Sequence, residues 1–223
     1  MTLGDLLSVE GPKRSTRYSQ DGVKYRTLCK CCNTKKLGSR YDPTLVALSK
    51  VVSAYVQSAL HLPNSMQIET KPNRLVRSIV GHLLALGVGE HRNGKAIERL
   101  TDYFLDETIA FPEEVKLYYW LYPYNDQVTI KNSAGISLDM NSFAVIMLLK
   151  FFPISFLLVI DEPPTWHIPV RRLNSMLSTD IDVDATILVD FIGLPPRRWP
   201  EAPSKTGIVM HGDGATGAIP RKT

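Results

Sequence analysis

All three cysteines of the chain lie between positions 29 and 32, as Cys29-Lys30-Cys31-Cys32. Cys29 and Cys32 form a C-x-x-C pair. That spacing lets two thiolates point from one tight turn at a single tetrahedral zinc ion. Zinc takes four ligands, so the pair is half a site. The histidines that could complete it are His61, His82, His91, His167 and His211. His82 falls in line with Leu75, Ile79 and Leu86, the place of a packed core residue. His91 follows Gly87 and Gly89 and is freer to ligate. The candidate metal set is therefore Cys29, Cys31, Cys32, His82 and His91, with zinc as the cofactor. Free reduced thiols, a redox pair and a vestigial site compete with that reading. Thiol catalysis needs a lowered pKa. Lys30, Lys35 and Lys36 supply positive charge for it, but no histidine is near in sequence.

The cysteines sit inside a basic segment. Residues 1–40 hold nine Lys or Arg against three acids, whereas residues 41–223 hold 17 basic and 19 acidic groups. The surplus over neutrality is thus confined to the N-terminal end, as expected of a nucleic-acid-facing segment or of a solvated basic arm. The candidate nucleic-acid contacts are Lys13, Arg14, Arg17, Lys24, Arg26, Lys30, Lys35, Lys36 and Arg40.

The elements that must position these groups follow from periodicity. Ser15 to Leu28 reads as a hairpin around Asp21-Gly22, with Val23, Tyr25 and Thr27 alternating after the turn. Leu45 to Leu60 reads as a helix entered through Asp42 and Pro43, a capping residue followed by a first-turn proline. Pro72 to Leu86 and Ala96 to Ile109 read as two more helices. Met66 to Thr70, Val115 to Tyr122, Gln127 to Lys131, Ser142 to Leu149, Ile154 to Ile160 and Val183 to Ile192 read as strands. Helices followed by a strand-rich half predict an α+β fold with a mostly antiparallel sheet behind an N-terminal β-hairpin/knuckle. The expected organisation is a basic hairpin and cysteine knuckle at 1–44, an α/β body at 45–200 and a loose tail at 201–223. An apolar fraction of 44% excludes wholesale disorder. Phe143 to Ile160 is broken by Lys150 and Pro153, so it reads as strands rather than a membrane span. No secretory leader is read at residues 1–12, and with so few, adjacent cysteines a reducing, cytoplasmic setting is expected.

Other groupings are weaker. Asp180, Asp182, Asp184 and Asp190 look like a metal cluster, but no glycine turn or closing glutamate follows at calcium-loop spacing, so a solvated turn is favoured. Arg171-Arg172 and Arg197-Arg198-Trp199 suit phosphate contact, base stacking or plain surface charge.

Tyr25-Arg26-Thr27-Leu28-Cys29-x-x-Cys32-Asn33, followed by Leu37-Gly38-Ser39-Arg40-Tyr41, resembles the closing zinc knuckle of HNH-endonuclease-like bacterial and phage proteins. Phe152-Pro153 through Asp161-Glu162-Pro163-Pro164 resembles a later segment of such proteins. The resemblance implies half of a ββα-metal module. Two departures limit it. The upstream C-x-x-C and Glu-His-Pro-Pro stretch is missing, and one extra residue separates Asn33 from Gly38. HNH chemistry needs a histidine to activate water, and the first histidine is His61. Three explanations fit: a recorded start downstream of the true one, a degenerate non-cutting relative, or a homodimer sharing one zinc between two knuckles. The expected function is non-catalytic binding of nucleic acid or a nucleic-acid-handling protein. The alternatives are a metal-dependent nuclease completed by missing residues, by a partner, or by His82 or His91 as base, and a protein-binding inhibitor such as a phage encodes.

Overall fold

The computed structural model describes residues 28–58, 61–86, 94–178, 180–202, 207–211 and 216–218. The hairpin expected at Ser15 to Leu28 lies outside them except for Leu28, as do Lys13, Arg14, Arg17, Lys24, Arg26 and His91.

A π-helix at Cys32–Tyr41 opens the described chain and runs directly into α1, Asp42–Val56. The strand β1 (Ser65–Thr70) leads to α2 (Pro72–Leu84), and α3 (Gly94–Leu105) follows. Then come β2 (Val115–Leu121), β3 (Val128–Ser137), β4 (Ser142–Phe151), β5 (Ile154–Ile160), β6 (Arg171–Arg172), a 3-10 turn at Asn174–Met176, β7 (Ala185–Asp190), β8 (Gly207–Met210) and β9 (Thr216–Ala218). The larger sheet runs β6-β2-β5-β4-β3-β8, with β9 also on β3; β1 and β7 make a separate antiparallel pair. Every pairing is antiparallel, so the fold is α+β as the sequence predicts.

The period-2 alternation of the strands builds two apolar layers. Leu117, Tyr119, Leu121, Phe156 and Leu158 face a core shared with the helices, where Leu45, Leu48, Leu75, Ile79 and Leu100 are buried. Tyr118, Trp120, Ile146, Leu148 and Val159 face the other way, under Trp166, Ile168, Val170 and Trp199. Both sides being covered is why all of β5 is buried and reads as an unbroken apolar run. Gly135 on β3 leaves room for that second layer: a Cβ there would stand 3.2 Å from Trp166.

The structure differs from the expected organisation at both ends. The boundary at residue 44 falls inside α1, and Leu37 and Tyr41 belong to the helical core. Asp42 does not cap α1. The chain enters from a preceding helical turn, so the Asp42 N–H bonds the carbonyl of Leu37 and the carboxylate is left for other partners. The segment expected as tail contributes β8 and β9, both paired to β3. Glu201 also ties it to the body, through the fully buried Lys150. That ammonium bonds the Glu201 carboxylate at 2.7 and 2.9 Å and the carbonyls of Arg197 at 2.6 Å and Trp199 at 3.0 Å.

The cysteine knuckle and the basic face

Cys29 stands just ahead of the helical run that begins at Lys30. Its sulfur accepts the backbone N–H of Cys32 at 3.1 Å, and its carbonyl accepts the N–H of Asn33 at 2.9 Å. Cys29 thus fills the capping place that a serine or aspartate often takes, satisfying one of the helix's free N–H groups. The Cys32 thiol hydrogen-bonds the same sulfur. That bond, with the backbone N–H, holds the exposed Cys29 thiol below its ordinary pKa of 9.0. Cys32 moves the other way, since its proton is the one donated and it is partly buried. Cys31 is exposed. Two thiolates at this spacing span one edge of a coordination tetrahedron and would supply two of zinc's four ligands. Among the described residues no three His, Cys, Asp or Glu side chains gather closely enough to hold a metal ion. His82 is accordingly not joined to the cysteines. Its Nε2 faces Asp42 Oδ1 at 3.2 Å, and the same oxygen accepts the Ser78 hydroxyl at 2.6 Å. His82 is half-exposed rather than a core residue.

The structure divides the four described basic candidates into two pairs. Lys30 and Lys35 are exposed and form no ion pair among the described residues. Lys36 and Arg40 point inward along the π-helix. The Lys36 ammonium donates to the carbonyl of Leu105 at the end of α3, at 2.5 Å. Arg40 grips Glu107 with two bonds of 3.0 Å and lies 3.5 Å from Asp182. Tyr41 adds a hydroxyl bond to Glu107 at 3.2 Å. The carboxyl of Glu107 is held below its ordinary value mainly by the Arg40 bonds. These two cations are structural staples between the π-helix and the 105–109 loop.

Arg77 completes the staple from the other side and was not singled out by sequence reasoning. It is buried in α2, donates to the carbonyls of Asp106, Glu107 and Ile109 at 2.9 to 3.1 Å, and stacks on Tyr103 with its guanidinium 3.8 Å from the ring centre. The signal for it was an arginine inside the apolar stretch Leu75, Val76, Ile79, Val80. A charge in such a stripe needs partners of its own.

The four aspartates near the end form no metal cluster. Asp182 pairs with Arg74 and Arg40, Asp184 with Lys71 at 2.9 Å, Asp190 with Arg171 at 2.6 Å, and Asp180 accepts the Asp182 N–H at 2.9 Å. Asp180, Asp182 and Asp184 lie in a turn and loop ahead of β7, as the sequence favours, and Asp190 ends that strand. Arg197 is taken by Asp126 through two bonds of 2.6 Å. Each of the basic pairs at 171–172 and 197–198 therefore has one member committed internally.

No protein-family model, no curated protein and no solved structure matches the chain. Among the described residues no helix is long and apolar enough to cross a membrane.

Proposed function

We propose that the chain is a non-catalytic nucleic-acid-binding protein whose contact face is the cysteine knuckle and the basic residues around it. The observation that carries this reading is the split among the cations. Lys30 and Lys35 remain exposed at the start of the helix beside Cys29 and Cys31, while Lys36 and Arg40 anchor that helix to the body. An outward-facing pair of lysines on a firmly held turn is what phosphate contact requires. Lys13, Arg14, Arg17, Lys24 and Arg26 precede it and extend the same basic segment. Zinc at Cys29 and Cys32 would fix the turn. Its further protein ligands would come from residues outside the described set, His91 among them, or from a second copy of the chain.

The resemblance to HNH proteins favours nucleic acid over other polyanions. The nuclease alternative would need a base. His82 is the described candidate, and it is occupied by Asp42 on α1 rather than placed at the knuckle. Fluorescence anisotropy with a labelled DNA duplex and an RNA strand tests the reading. Binding that weakens steeply with added salt supports it; binding indifferent to salt, or none, refutes it. Zinc content separates the metal arrangements. About one ion per chain, absent from Cys29→Ser/Cys32→Ser, means that the chain completes its own site, and about half an ion means that two chains share one.

A further inference from the structure

A cleft of about 670 Å³ lies between α1, His82 and the ends of β3 and β4. Its size falls within the range of small-molecule sites. The knuckle is no part of it. Apolar groups dominate its walls, notably Val46, Leu149, Phe151 and Phe152. Val46 remains 47% exposed there although it sits mid-helix beside buried Leu45 and Leu48.

Two polar observations narrow the occupant. The hydroxyl oxygen of Ser49, which lines the cleft, is buried and has no hydrogen-bond partner among the described residues. A buried hydroxyl without a partner is costly, so a ligand atom that bonds it is favoured. The ionisable lining groups are Lys50, Lys150 and His82, with no carboxylate among them. The Lys150 ammonium is consumed by Glu201 and two carbonyls, and His82 turns one nitrogen to Asp42 behind it. Lys50 is exposed and forms no ion pair among the described residues. The cleft therefore offers an apolar wall, one unused hydroxyl and one unused cation.

We infer that this cleft binds an amphipathic organic anion. Its apolar body lies against Val46, Leu149 and the two phenylalanines, and its carboxylate, or a like headgroup, meets Lys50 and the Ser49 hydroxyl. The site is independent of nucleic-acid binding at the knuckle.

Isothermal titration with decanoate, and with decanol as the uncharged counterpart, tests this on the full chain. Saturable decanoate binding at one site per chain is expected, with decanol weaker. Lys50→Glu and Val46→Arg alter exposed side chains, and an unchanged near-ultraviolet circular dichroism spectrum confirms that each variant is folded. Each is expected to weaken decanoate by about tenfold or more. Absence of saturable binding overturns the inference and leaves the cleft to a protein segment. Equal binding of decanol, or binding untouched by both variants, overturns it as well.

Discussion

At the residue scale, the knuckle is asymmetric. Cys29 receives two hydrogen bonds on sulfur and is exposed, whereas Cys32 gives its proton and is partly buried. The thiolate is the reactive form, so Cys29 should alkylate before Cys32. Its rate with iodoacetamide, followed by peptide mass spectrometry, should rise at a pH below the ordinary thiol value of 9.0. Cys32→Ala removes the donated thiol proton and should move that rise upward; an unchanged profile would contradict the assignment. Glu107 gives a second residue-level test. Its folded pKa lies below the ordinary 4.5, so it stabilises the fold above that value, and the contribution disappears as pH falls through the folded pKa. Thermal melts between neutral and acid pH should show Glu107→Gln less stable at neutrality and less sensitive to acid than the unaltered chain. The Glu107 pairing was beyond reach of the sequence, whereas the Cys29–Cys32 pair was legible in its C-x-x-C spacing. Arg40 finds Glu107 at a separation of 67 residues and Asp182 at 142, and no local pattern encodes such partners.

At the scale of elements, the helices and most strands were legible because their periods are strong. The observed α2 at Pro72–Leu84 falls where a period of 3.6 places it, and β5 at Ile154–Ile160 where a short unbroken apolar run places a doubly covered strand. The π-helix was not legible, since its apolar residues Leu37 and Tyr41 are too few to show a period. Composition assigns it to a separate knuckle, whereas Leu37 packs into the core. The end strands β8 and β9 were hidden by glycine- and proline-rich composition, and their pairing to β3 is long-range. Gly81 shows how closely these elements approach. A Cβ there would stand 2.6 Å from the Phe104 ring and 2.7 Å from Leu37. Gly81→Ala gains helix propensity of up to about 1 kcal/mol. Crowding between α2, α3 and the π-helix costs about 1–3 kcal/mol. A net fall in stability is expected in chemical denaturation, and a stabilised variant would show that the three helices do not pack this closely.

At the scale of the whole molecule, one end carries the positive surplus while the body is close to neutral, and the structure joins them through the π-helix. Charge asymmetry was plain in the sequence; the division of labour among the cations was not. Lys36 and Arg40 belong to the same basic segment as Lys30 and Lys35 yet face the body, so composition alone does not separate outward-facing cations from anchoring ones. The most direct test is the salt dependence of DNA affinity for two double variants. Removing one lysine–phosphate pair should lower the slope of log affinity against log salt by about 0.9. Lys30→Ala/Lys35→Ala should therefore flatten the slope by roughly twice that amount while leaving the melting temperature unchanged. Lys36→Ala/Arg40→Ala should lower the melting temperature and, in the fraction that stays folded, leave the slope alone. A slope that Lys30→Ala/Lys35→Ala does not change would contradict the assignment of the knuckle as the nucleic-acid face.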